Sequence, residues 1–436
     1  VTMYGVTGKP MMVQNVDVFT EPISRINERK LKFVDCVLIN DKIWFSALNI
    51  NGLFCADYKT GKAKFIGHFP SEYPIGDKMG VWLYWPVQHY NNKLIFGPAN
   101  ANDIIVYDIK INEFIKHELR SVSREDVVYC KFNSSILFEN YIYFIPSLYP
   151  SIVRFDIETS EITYITEWEF DNNCDQIFYY SGAYILGNIC YLPSLRFKAI
   201  YKLDMAEGKG MFIDTGFGKY KYMGIYINEN ILWALAQKVD STVLAEITID
   251  SGNVNEYIIQ NINNNSRLLF VEDNKIWIDP ENGVGLLSVD MDTIIVKAYP
   301  IENNSMDLPY LSNEMWFCKK YKDEYWMQSR VSNKVYRISK NSKPMLVGES
   351  IYYAEDVNDM TYEDFIKYTS VCTVSLSSNV LGFHFIEGFY ECSIEMLLNR
   401  MGHMDLIYLQ QQNLLGEMIT LGTAGTAIYN YISEAL

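Results

Sequence analysis

The chain has 436 residues, of which 49% are hydrophobic, 15% aromatic and 21% charged, with a formal net charge of −16. That apolar content, without a long polar tract, excludes a disordered chain. The negative charge argues against nucleic acid as a partner, and no apolar run reaches the roughly 18 residues that span a bilayer, so no membrane insertion is expected.

Val1 opens the chain with no secretory leader in view, although a removed leader is left open. Eight cysteines are scattered without a Cys-x-x-Cys pair. They read as buried thiols of a cytoplasmic protein.

In chain order, the first element is a strand over residues 11–19, which would close the last blade of a ring or stand as an extra edge strand. A repeat begins near Lys32. A polar turn followed by an apolar, aromatic strand recurs as Asn40-Asp-Lys-Ile-Trp-Phe45, Asn91-Asn-Lys-Leu-Ile-Phe96 and Glu139-Asn-Tyr-Ile-Tyr-Phe144. It continues as Gly187-Asn-Ile-Cys-Tyr191, Asn228-Glu-Asn-Ile-Leu-Trp233, Asp273-Asn-Lys-Ile-Trp277 and Lys322-Asp-Glu-Tyr-Trp326. Aligned on Ile43, Leu94, Ile142, Ile189, Ile231, Ile276 and Tyr325, the steps are 51, 48, 47, 42, 45 and 49 residues, with a mean of 47. Four-stranded propeller blades have this period.

A second strand follows each copy and ends in Asp and a polar turn, as in Leu53-Phe-Cys-Ala-Asp57, Ile105-Val-Tyr-Asp108, Val153-Arg-Phe-Asp156 and Ile200-Tyr-Lys-Leu-Asp204. Weaker copies end at Asp250, Asp290 and Ser339. Asp hydrogen-bonds its own turn, and Gly accepts a positive φ, so these are hairpins. Each unit therefore reads strand A, turn, strand B, loop, strand C, Asp hairpin, strand D. The fold expected is all-β, a propeller of about seven four-stranded blades over 1–348, with the strand-B aromatics packed between blades. The repeat lacks the Gly-His and Trp-Asp marks of WD40 and the Gly-Gly pairs of kelch, so it points to no family.

After Gly348 the period stops. Thr361 caps a predicted helix, residues 373–385 suggest a hairpin, and helices are predicted over 392–401, 404–418 and 424–434. This C-terminal α-rich segment, 349–436, needs a partner surface, either the propeller side or a second copy in a homo-oligomer.

Chemistry is sparse. The five histidines, His68, His89, His117, His384 and His403, form no metal-ligand spacing. Gly422-Thr-Ala-Gly425 lacks the βαβ context of a phosphate loop, and no nucleophile elbow is present. No metal and no cofactor are expected, and catalytic residues are not identified. What remains is the end of the ring that carries the B–C and D–A loops. Its candidate ligand-binding residues are Asn100, Asn102, Arg196, Lys238, Gln328 and Arg330, with Trp85 in the run Val81-Trp-Leu-Tyr-Trp-Pro86 as a stacking platform. Two arginines in an acidic chain suit an anion clamp. The expected function is non-enzymatic recognition of a protein or glycan partner on the axial face. The alternative is a carbohydrate-active hydrolase or lyase with residues converging in the channel.

Overall fold

The computed structural model describes residues 2–4, 10–12 and, with short gaps in the connections, 31–354. The chain divides into two compact units, Arg29–Phe365 and a second made of Val1–Glu28 with Ile366–Leu436. In the second unit, Thr2–Tyr4 pairs antiparallel with Pro10–Met12, so Met11 and Met12 belong to a two-stranded sheet. Residues 13–19, the helices read at 361, 392–401, 404–418 and 424–434, and the 373–385 hairpin lie outside the described residues.

Arg29–Phe365 is a seven-bladed β-propeller of antiparallel sheets. Strand A runs Val37–Ile39, Tyr84–Tyr90, Phe132–Phe138, Tyr184–Leu186, Lys221–Asn228, Arg267–Glu272 and Met315–Tyr321 in blades 1 to 7. Strand D, the last of each blade's four in chain order, includes Lys62–Gly67 in blade 1 and Val254–Ile258 in blade 5.

The local chemistry of the turns explains why the chain folds this way. All seven A–B hairpins have two-residue loops. Their first residues, Asn40, Asn91, Glu139, Gly187, Glu229, Asp273 and Lys322, all have φ between 48° and 60°. Short loops joining right-twisted strands demand this conformation, which Asn, Asp and Gly tolerate best. In the C–D hairpins, the carbonyl of Asp57, Asp108, Asp156, Asp204 and Asp290 accepts from the N–H four residues on. Each Asp Oδ1 also accepts the N–H groups two and three residues on.

Blade 5 departs from the sequence reading. There Thr248, not Asp250, holds the hairpin position, because Gly252 N–H donates to the Thr248 carbonyl and strand C ends at Thr248. The two turns of a blade are tied together. The second A–B loop residue (Asn92, Asn140, Asn188, Asn230, Asn274) accepts through its carbonyl from Ile109, Ile157, Met205, Ile249 and Met291.

The core lies between blades rather than within one. Ile136, Tyr143 and Ile145 of blade 3 pack with Cys190, Leu192 and Tyr201 of blade 4. Trp277 and Phe270 of blade 6 likewise meet Met327 and Tyr336 of blade 7. A single sheet could not bury both faces, whereas stacked neighbours do. Strand D is the outer, wetter edge, with Ile258 81% exposed.

The ring closes by a device the sequence did not reveal. After blade 7 the chain crosses to blade 1, where Tyr352–Tyr353 pairs parallel with Lys62–Ala63 as a fifth strand. Tyr352 N–H donates to Gly61 at 2.8 Å, Ala354 N–H donates to Ala63 at 3.2 Å, and Ile351 and Tyr353 are fully buried.

Candidate functional site

B–C loops and D–A connections leave each blade at the same end, because the strands alternate in direction. At this end a chain of hydrogen bonds runs from blade 2 to blade 4. Lys131 N–H, at the entry to blade 3, donates to Ala99 of the blade 2 B–C loop at 2.8 Å, and Cys130 N–H donates to Asn100 Oδ1 at 3.1 Å. Ser147 N–H then donates to the Lys131 carbonyl, Ile177 N–H to the Ser147 carbonyl at 2.7 Å, and Ser194 Oγ to the Ile177 carbonyl at 2.7 Å. The loops of three successive blades are thereby stitched together.

Ser194 opens a compact B–C loop in blade 4. Its N–H donates to the Ala199 carbonyl at 2.9 Å, its Oγ accepts from Phe197 N–H at 3.1 Å, and Lys198 takes φ +50°. The tip carries the Arg196 guanidinium 5.4 Å from the Phe197 ring centroid. Phe197 is 37% exposed and rests on Phe212 and Trp168, with centroids 4.8 and 6.3 Å away. Trp168 in turn packs edge-on to Phe178 and Tyr201. This loop presents a cation and an aromatic face on a support of packed rings.

Beneath the blade 2 and 3 loops lies a buried polar cluster. Lys131 is buried, and its Nζ donates to the Asn100 carbonyl at 3.1 Å. Burial lowers its amine to about 8, opposed by the Asp103 charge. Ser71 Oγ donates to Asp103 Oδ1 at 2.6 Å, and Tyr84 donates its hydroxyl to the same oxygen. Lys116 Nζ lies 3.7 Å from the other Asp103 oxygen. Burial, then the Asp103 charge, raises the Tyr84 phenol well above its ordinary value. In blade 6, Arg267 and Asp279 form a buried ion pair at 3.8 Å.

The expected site residues meet different fates. Asn100 is buried as a tie between blades, and Asn102 is exposed on the same loop. Lys238 of blade 5 forms an ion pair with Glu256, and Gln328 is buried in strand B of blade 7. Trp85 is half-buried and lies within strand A of blade 2 rather than in the long loop before it, because the register shift between Tyr84 and Val87 accommodates Pro86 inside the strand. Arg330 lies outside the described residues. Lys131, Asp103, Asp35 and Lys319 were not singled out, although the charged Lys319 inside an apolar strand-A pattern was a signal.

The described cysteines are free, and burial pushes the thiols of Cys55 and Cys130 up to about 12. Such thiols are inert at neutral pH. Among the described residues, no group of three or more His, Cys, Asp or Glu gathers as a metal site, and no helix is long and apolar enough to cross a membrane.

No protein-family model matches the chain, and no curated protein matches it significantly. Solved structures with a similar fold include a streptogramin B lyase, at 18% identity over 62% of this chain and 83% of that one, TM-score 0.43. BamB from Moraxella catarrhalis is similar at 12% identity over 67% and 79%, TM-score 0.43. A puromycin-hydrolyzing peptidase of Mycobacterium tuberculosis is similar at 10% identity over 77% and 55%, TM-score 0.48. These neighbours differ in role from one another, and the likeness is one of fold alone.

Proposed function

We propose that the chain is a non-enzymatic binding protein whose B–C and D–A end recognises a protein or glycan partner, with the Arg196–Phe197 loop of blade 4 as a central contact. The observation that carries this reading is the pinned Ser194–Ala199 loop with its packed aromatic support. Arginine and aromatic side chains dominate binding hot spots, and a loop ordered in advance loses little entropy on binding. A planar aromatic also suits a sugar face, while Arg suits carboxylate or phosphate on the ligand. Asn102, exposed on the blade 2 loop two blades away at the same end, would extend the contact.

The test is a thermal-shift screen of the full chain against glycans, sugar phosphates and organic acids, followed by recovery of protein partners on immobilised wild type and Arg196→Ala. A ligand that binds only the folded state raises Tm by mass action. The reading expects at least one ligand or partner whose binding drops about tenfold or more in Arg196→Ala or Phe197→Ala, in line with hot-spot losses of about 1–2 kcal/mol. Equal binding by wild type and both variants removes this loop from the site.

The enzymatic alternative has one feature in its favour. An amine held at about 8 near a buried carboxylate, as at Lys131 and Asp103, is the kind of pair that moves protons. Glycan turnover that disappears in Lys131→Met while binding persists would favour that reading.

A further inference from the structure

The molecule already shows what it does with an open blade edge. On blade 1, Ile351–Ala354 lies as an extended strand against strand D, using the carbonyls of Gly61 and Ala63 as acceptors. Blade 5 repeats that edge. Gly252 occupies the place of Gly61 in the C–D hairpin, with φ +67° against +72°. Val254 occupies the place of Ala63, since Val254 pairs with Ile247 as Ala63 pairs with Ala56.

The Asn253 carbonyl points inward, accepting from Thr248 N–H at 2.9 Å. Strand alternation then turns the backbone groups of Val254 and Ile258 outward. Val254–Ile258 is the terminal strand of its four-stranded sheet, whereas Lys62–Gly67 carries a fifth strand. Edge strands are normally guarded by charged side chains, Lys above all, or by Pro. Strand D of blade 1 has Lys62 and Lys64, and that of blade 6 has Lys297, but Val-Asn-Glu-Tyr-Ile of blade 5, like Ile162–Glu167 of blade 3, has neither Lys nor Pro, and its one charge, Glu256, is held by Lys238. Ile258 at its end is the most exposed large apolar residue among those described, at 81%.

We infer that the outer edge of blade 5, Val254–Ile258, is a second docking surface that takes up an extended peptide of alternating apolar and aromatic residues with flanking basic residues, added as a fifth strand. The strand of this chain seated on the equivalent edge of blade 1 supplies the pattern of the occupant. The net charge of −16, with Glu246 beside this strand, supplies the preference for basic flanks and disfavours a second copy. This surface is separate from the axial loops, so its test is independent of the function proposed above.

The probe is a fluorescein-labelled peptide, Lys-Lys-Ile-Tyr-Tyr-Ala-Lys, titrated with the full chain and read by fluorescence anisotropy. Saturable binding is expected for the wild type, weakened at least tenfold both by Val254→Pro, which removes an outward N–H, and by Ile258→Lys, which guards the edge. Ile258 is exposed, so its variant keeps the wild-type Tm and decides the matter if Val254→Pro lowers it. Absence of saturable binding, or equal binding by wild type and Ile258→Lys, overturns the inference.

Discussion

Lys319 in strand A of the last blade reaches Asp35 at the start of the first, with Nζ 2.7 Å from one carboxylate oxygen, and donates also to the carbonyls of Cys36 and Val87. Asp35 in turn accepts from Val87 N–H at 2.9 Å. One ammonium and one carboxylate thus fasten blades 7, 1 and 2 at their inner strands, across 284 residues of sequence.

Removing one partner of this pair leaves the other charge buried. Burial raises the Asp35 carboxyl, opposed by Lys319. Lys319→Met is expected to cost about 3 kcal/mol, and the double variant Asp35→Asn, Lys319→Met distinctly less, since an orphaned charge costs more than a missing pair. Urea denaturation of the three proteins measures the difference. Equal loss in the single and double variants would mean that the pair acts by packing alone.

The fifth strand of blade 1 is held by a fully buried ring. Tyr353 lies edge-on to Phe54, with centroids 6.5 Å apart. Tyr353→Ala is expected to destabilise by about 3 kcal/mol, the usual scale for deleting a buried aromatic. Tyr352→Ala, at a half-buried position, is expected to cost less. Chemical denaturation with matched m-values checks both.

Lys131 gives the ring a pH dependence of defined sign. Its folded value of about 8 lies below the ordinary value of 10.5. Between those limits the unfolded chain binds more protons than the folded one, so this residue's contribution to stability rises with pH across that window. Comparing the urea midpoints of wild type and Lys131→Met at pH 7.5 and pH 10 isolates it. The wild type is expected to gain on the variant at the higher pH. A constant difference would mean that the amine is not desolvated.

Ile294 closes the C–D hairpin of blade 6 at φ +56°, where blades 1 to 5 have Gly61, Asn112, Ser160, Gly208 and Gly252. A β-branched residue is strained there by roughly 1–2 kcal/mol. Part of that is offset because the side chain packs on the core between blades 5 and 6. Ile294→Gly is expected to stabilise by about 0.5 kcal/mol or more, measured by thermal denaturation. A loss of stability would show that packing outweighs backbone strain at this position.

The blades were legible because their signals are local. A two-residue turn needs a positive φ, and Asn40, Asn91, Gly187 and Asp273 announce it within a few residues of each strand. The Asp of the C–D hairpins is equally local, and it misled only in blade 5, where Asp250-Ser-Gly252 imitates the motif two residues late. Closure by Ile351–Ala354 was not legible, because four apolar residues carry no periodicity and their partner strand lies about 290 residues earlier. The polar cluster was hidden for the same reason. Lys131 meets Asn100, and Tyr84 meets Asp103, only after strands from separate stretches are stacked. Arg196 could be noticed as an arginine in a B–C loop of an acidic chain, whereas the aromatic shelf beneath it is contributed by Trp168, Phe197 and Phe212 from two blades.

Leu31 N–H donates to the Ile351 carbonyl at 3.1 Å, so the chain enters the ring and leaves it at hydrogen-bonded neighbours. A mechanical load applied to the propeller at Leu31 and Ala354 would therefore meet this short seam first, with the strand at Tyr352–Tyr353 beside it. The blades beyond the seam would feel no tension until it parted. The propeller can be tethered at Leu31 and Ala354 without its loops being pulled out of shape.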